Sequence, residues 1–97
     1  MTDGMTNTQA LIVEECDMLK SLLLEKNKNY GNSATQPLRI FSKADPEEQL
    51  RVRLDDKISR LSRGAGVTAA EDTEQDLLGY LILLRVMRKL KQRGLEP

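Results

Sequence analysis

Charged residues interrupt the apolar stripes of three predicted amphipathic helices, and this pattern most constrains the fold. On the third helix, an otherwise apolar stripe begins with two acids, Asp72 and Asp76, which lie one turn apart. Lys57 lies on the apolar stripe of the second helix in the same way, and Glu15 lies on that of the first. An unpaired charge costs several kcal/mol to desolvate in a core. The sequence therefore predicts a polar site between packed helices.

Composition limits the classes of partner and chemistry. The 15 basic and 15 acidic residues cancel, which argues against a broad electrostatic grip on nucleic acid or on an anionic membrane. The chain has no histidine, so a histidine base and histidine-containing zinc sites are excluded. Cys16 is the only cysteine, which excludes an internal disulfide and suits a reducing cytoplasm. No apolar run reaches the roughly 18 residues of a membrane span. We therefore expect a cytoplasmic protein without a membrane partner.

The spacing of apolar residues predicts an all-α fold of three helices, with a long loop between the first two. The first helix is predicted to run from about Gln9, after a Thr8 cap, to about Lys28. At 97 residues the chain is expected to form one domain over 9–94, preceded by a flexible segment at 1–8. The expected protomer is a three-helix hairpin-like structure.

The ends of the other two helices carry recognisable capping residues. Asp45-Pro46 supplies a cap and a proline at the first helical position, and Arg63-Gly64 supplies a glycine stop. Thr68 and Glu71 have capping-box spacing and predict the start of the third helix, which closes near Arg93-Gly94. This interpretation uses the Glu71 side chain to bind the helix start.

The third helix is apolar on a second face as well. The residues that form this face are Leu77, Leu78, Leu81 and Leu84. One small three-helix domain can hardly bury two faces of one helix, so the pattern favours a homo-oligomer, a dimer or higher, that forms a larger bundle. The alternative is that the third helix is central and is covered by the other two.

The misplaced acids suit a hard cation such as Mg²⁺, which prefers oxygen ligands. Asp72 and Asp76 are the first pair, and Asp56, with its neighbour Asp55, can complete the set from the second helix. Glu15 is a further candidate ligand. Each acid also has a structural interpretation, because early acids favour a helix start and exposed acids pair with arginines.

Lys57 has two possible roles on its apolar stripe. It can be a structural counter-ion, for which Glu15 is one candidate partner, or it can touch a substrate phosphate and so assist catalysis. The sequence leaves both roles open.

The loop between the first two helices is long for a compact helical domain, and long loops are often functional. Tyr30 offers a ring on which a base can stack. The nearby cations suit phosphate groups: Lys26, Lys28, Arg39 and Lys43. In addition, Ile40 and Phe41 are expected to pack against the end of the bundle. The two interpretations are compatible.

Three segments occur in a fixed order and carry a family resemblance: Lys28–Ser33, Arg53–Leu61 and Asp72–Tyr80. Together they make the chain, over roughly residues 20 to 90, resemble small phage and prophage proteins of the nucleotide-modification-associated type. Those proteins are similar to the all-α nucleoside triphosphate pyrophosphatases of the MazG and dimeric dUTPase group.

The resemblance implies an oligomeric helical bundle that holds Mg²⁺ on acids and receives a nucleotide in a pocket. Active relatives use a Glu-Glu-x-x-Glu pattern and a later Glu-x-x-Asp pattern. Here Ser59 stands at the third acid of the first pattern, and Thr73 replaces the glutamate of the second. Three classes remain: a Mg²⁺-dependent pyrophosphohydrolase with Asp56, Asp72 and Asp76 as ligands, a non-catalytic nucleotide binder, and a helical assembly module without a ligand.

Overall fold

The computed structural model describes residues 4–64, 68 and 71–97. It contains three helices: α1 (Asn7–Tyr30), α2 (Pro46–Ser62) and α3 (Thr73–Arg93). The residues described form no β-strand, so the prediction of an all-α fold is confirmed. In the same part of the chain, no helix combines the length and the apolar content that crossing a bilayer requires.

The first helix begins two residues earlier than predicted. Thr6, not Thr8, is its cap: the Thr6 hydroxyl accepts from the Gln9 N–H at 3.1 Å, and the Gln9 side chain accepts from the Thr6 N–H at 3.0 Å. This reciprocal pair needs a glutamine or glutamate three residues after the cap. Thr8 has Leu11 at that position, which explains why the earlier threonine is used.

The ends of α2 agree with the sequence, because Asp45 caps it, Pro46 is its first residue and Arg63 follows its last. The start predicted for α3 at Thr68 is wrong. Asp72 is the cap of α3, and its carboxylate accepts from the Gln75 N–H at 2.9 Å. The C-terminal end of α3 is as predicted, with Gly94 in the left-handed conformation that favours glycine.

The chain divides into two compact units, Met1–Gly31 and Asn32–Pro97. The first unit contains α1, which has no buried residue. The second contains α2 and α3, which pack against each other around Leu50, Leu54 and Leu84. Partly buried residues complete this core: Ala34, Leu77, Tyr80, Leu83 and Met87. A candidate site on α2 and α3 therefore lies on two helices that pack against each other.

The core face of α3 lies between the two stripes that the sequence suggested. Leu77 and Leu84 belong to the second apolar face, whereas Leu83 belongs to the stripe that Asp72 and Asp76 begin. All three join the core with α2. Four other apolar residues of α3 are exposed, namely Leu78, Leu81, Ile82 and Val86. Part of each stripe thus packs against α2, and the exposed residues form an apolar surface on α3.

The large apolar side chains shortly before α2, at Leu38, Ile40 and Phe41, are exposed. Phe41 is 99% exposed, and Ile40 is exposed as well, so the expectation that they pack against the bundle is wrong. Arg39 has a φ of 60°, which is uncommon for a residue with a side chain. Its guanidinium donates to the Lys43 carbonyl, and the Lys43 ammonium donates to the Arg39 carbonyl at 2.8 Å. These two hydrogen bonds close the turn between them.

Candidate functional site

Lys57 is the least exposed charged side chain among the ion pairs of the described residues, with 11% of its side-chain surface accessible. It projects from the middle of α2, on the same side as the buried Leu50 and Leu54. Its Nζ lies 2.6 Å from Oε1 of Glu71 and 3.1 Å from Oδ2 of Asp76. The ammonium is therefore shared by two carboxylates: that of Glu71, which lies just before α3, and that of Asp76, which lies in its first turn.

Arg60 extends the same network along α2. Its Nη1 donates to Oε2 of Glu71 at 2.7 Å and to Oε1 at 2.8 Å, and its Nε lies 3.2 Å from Oδ2 of Asp56. The five side chains form a continuous series of alternating charge that we call the ionic chain: Asp56, Arg60, Glu71, Lys57 and Asp76. Three carboxylates against two cations leave the ionic chain with one net negative charge.

The ionic chain shifts the pKa of its two central members. The hydrogen bond from Lys57, with the nearby charge of Arg60, holds the pKa of Glu71 below its ordinary value. The pKa of Lys57 is raised, chiefly by the hydrogen bond to Glu71 and with help from Asp76, although burial acts in the opposite direction. Both pKa shifts favour the charged forms of Glu71 and Lys57.

Three residues predicted for the site come together here: Lys57 as the central cation, with Asp56 and Asp76 at the two ends of the ionic chain. Asp72 lies nearby on the sequence, but its carboxylate caps α3. The structure thus gives Asp72 the capping role that the sequence had suggested for Thr68.

Sequence reasoning missed the central carboxylate, Glu71. Its backbone N–H does donate to the Thr68 hydroxyl at 3.0 Å, as the capping-box spacing suggests, but its side chain turns to Lys57 and Arg60. The missed signal is on α2. Lys57 and Arg60 are three residues apart and share one helical face, which favours a carboxylate near both but does not identify it.

The other predicted site residues lie elsewhere on the chain. Glu15, Lys26, Lys28 and Tyr30 are all exposed on α1, in the first unit. Arg39 lies in the second unit and contributes its guanidinium to the turn closed with Lys43. The ionic chain draws all of its members from the second unit.

Each of the three predicted magnesium ligands of the second unit, Asp56, Asp72 and Asp76, already has a protein partner. Within residues 4–64, 68 and 71–97, no three acidic or cysteine side chains group as metal ligands. Asp56 and Asp76 each pair with a cation, and Asp72 is used by a backbone N–H. A metal ion would have to replace these partners.

Two further contacts join α2 to α3. The Arg53 guanidinium lies 5.8 Å from the centre of the Tyr80 ring, within the range of a cation–π contact. Arg88 donates to Glu47 at 3.0 Å, and Arg51 lies 3.8 Å from the same carboxylate. The helix pair is thus held by charge at several points along its length.

Comparisons with known proteins leave the family open. The chain matches no protein-family model, and no curated protein or solved structure matches it either.

Proposed function

We propose that this protein binds a nucleotide, with the ionic chain of α2 and α3 as the polar part of its site. The supporting observation is that two of the three segments that resemble the phage nucleotide-modification-associated proteins face each other. Arg53–Leu61 and Asp72–Tyr80 are joined by the Lys57–Asp76 ion pair and by the contact of Arg53 with the Tyr80 ring. In this proposal Lys57 meets a phosphate group.

The remaining nucleotide contacts are proposed from chemistry. Tyr30 offers an exposed ring for the base, and three cations suit the phosphates: Lys26, Lys28 and Arg39. A homo-oligomer, a dimer or larger bundle that covers the exposed apolar surface of α3, is part of the same proposal.

The catalytic form of this proposal is a Mg²⁺-dependent pyrophosphohydrolase that converts a nucleoside triphosphate to the monophosphate and pyrophosphate. Its proposed ligands are Asp56, Asp72 and Asp76, with Glu15 as a further candidate. The non-catalytic form sequesters a nucleotide or a nucleotide signal of host defence, in a cytoplasm invaded by a phage. The geometry favours the non-catalytic form, because Asp56, Asp72 and Asp76 already have protein partners.

Turnover and binding can be measured on one panel of canonical and modified nucleoside triphosphates. Calorimetry reports binding, and pyrophosphate release with and without Mg²⁺ reports turnover. Asp72→Asn is the informative variant, because asparagine caps a helix about as well as aspartate but lacks the charge that a metal ion needs. Asp45→Asn is its matched control, since Asp45 is likewise the N-terminal cap of a helix, α2.

We expect tight association with at least one nucleotide and no pyrophosphate release. Mg²⁺-dependent release that disappears in Asp72→Asn but persists in Asp45→Asn would establish the catalytic form instead. A panel without any association would refute nucleotide binding altogether.

A further inference from the structure

Glu71 differs from the other two acids of the ionic chain in its place on the backbone. Asp56 and Asp76 belong to α2 and α3, whereas Glu71 lies between the helices, two residues before α3 begins. Because the Glu71 backbone belongs to neither helix, its side chain can be displaced from Lys57 and Arg60 without unwinding α2 or α3.

The two cations that hold Glu71 converge on one carboxylate. Oε1 accepts from Lys57 at 2.6 Å and from Arg60 at 2.8 Å, while Oε2 accepts from Arg60 at 2.7 Å. Because Lys57 and Arg60 are fixed three residues apart on α2, this convergence is set by the helix. Charge-assisted hydrogen bonds of this kind hold a phosphate group as readily as a carboxylate.

We propose that Lys57 and Arg60 form a phosphate-binding pair, and that the Glu71 carboxylate is its internal occupant, which the phosphate groups of the ligand displace. The inference rests on the proposed nucleotide binding, since it names the cations that meet the phosphates. With Glu71 present, the ionic chain carries one net negative charge, and without it the two remaining acids balance the two cations. Glu71 therefore lowers the affinity for an anion.

Inorganic pyrophosphate, titrated calorimetrically in Mg²⁺-free buffer at fixed low salt, is the probe. Glu71→Gln should tighten pyrophosphate binding by about threefold to tenfold, because one opposing charge is removed from a partly exposed site. Glu47→Gln is the matched control. Glu47 also accepts from one arginine and lies near a second, and its replacement changes the net charge by the same amount.

The tighter pyrophosphate binding of Glu71→Gln must depend on the two cations, so adding Lys57→Met or Arg60→Met to Glu71→Gln should abolish it. Equally tighter binding in Glu47→Gln, or unchanged binding in Glu71→Gln, would overturn the proposal. Carboxyl-carbon NMR of the wild type covers the case in which Glu71→Gln does not fold. Saturating pyrophosphate should shift the Glu71 carboxyl resonance and leave that of Glu47 in place, and an unmoved Glu71 resonance would refute the displacement.

The same measurements separate this inference from the proposed function. A Glu71-dependent gain for pyrophosphate, combined with no association of any nucleotide, would keep the phosphate-binding pair and reject the nucleotide. Nucleotide binding that is weakened in Lys57→Met but unchanged in Arg60→Met and in Glu71→Gln would reject the pair and keep the function.

Discussion

Asp76 has a structural task besides any role toward a ligand, because it shares the nearly buried Lys57 with Glu71. Asp76→Asn should lower the free energy of unfolding by about 1 kcal/mol, since Lys57 retains only one carboxylate partner. Urea unfolding measures this change. Asp56→Asn is the control, because Asp56 and its partner Arg60 are both well exposed, and its effect should be smaller. Equal stabilities of the two variants would contradict the assigned role of Asp76.

Glu71 makes the stability of the second unit depend on pH. Because its pKa is lower in the folded protein, its contribution is present above the ordinary value of 4.5 and is lost as the pH falls through the folded value. Lys57 acts at alkaline pH. Because its pKa is raised in the folded protein, its contribution is present below the ordinary value of 10.5 and is lost as the pH rises through the folded value. Unfolding free energies measured from neutral pH downward should fall less steeply below 4.5 in Glu71→Gln than in the wild type. Equal slopes of the unfolding free energy against pH in the two proteins below 4.5 would contradict this role of Glu71.

The sequence identified Lys57 and Asp76 because each breaks a periodic apolar pattern, and a charge in such a place requires a partner. Glu71 breaks no pattern, since it lies in a connection without periodicity. Its partners come from 14 and 11 residues away along the chain. Only the packing of α2 on α3 determines that pairing, so spacing rules could not reveal it.

The packing of α2 on α3 rests on very few buried side chains. Leu50 is 1% exposed, and Leu50→Ala should lower the free energy of unfolding by about 2–5 kcal/mol through lost burial and the cavity left behind. Val52→Ala, on the same helix at a position 66% exposed, should cost less than about 0.5 kcal/mol. Chemical denaturation of both variants tests this contrast, and comparable losses would mean that the core lies elsewhere.

Helix ends were predictable where a local rule had one solution, as at Asp45 and Pro46. The start of α1 was predicted at the wrong threonine. Thr6 caps the helix instead of Thr8, because only Thr6 has a glutamine, Gln9, three residues later to complete the capping box. The core face of α3 was harder to predict. Its sequence offers apolar residues nearly all round, so the contact with α2 selects the face, and periodicity alone cannot.

The apolar surface left on α3 bears on assembly of the whole protein. Leu81 is 43% exposed within one chain, so Leu81→Asp should preserve the fold while it breaks any assembly that buries this position. Light scattering after gel filtration should show a wild type of two or more chains and a smaller Leu81→Asp species. Leu38→Asp, at an exposed position before α2, is the control and should assemble normally. A monomeric wild type would contradict this prediction.

The absence of buried residues from α1 has a consequence for hydrogen exchange. A helix of 24 residues whose ends are fixed by local caps can open turn by turn, without waiting for the unfolding of α2 and α3. Amides of α1 should therefore exchange with deuterium through local openings that depend little on denaturant, whereas those near Leu50 and Leu84 should follow global unfolding. Protection of α1 equal to that of α2 and α3 would mean instead that another surface covers it in solution, and the slow amides would mark where that cover lies.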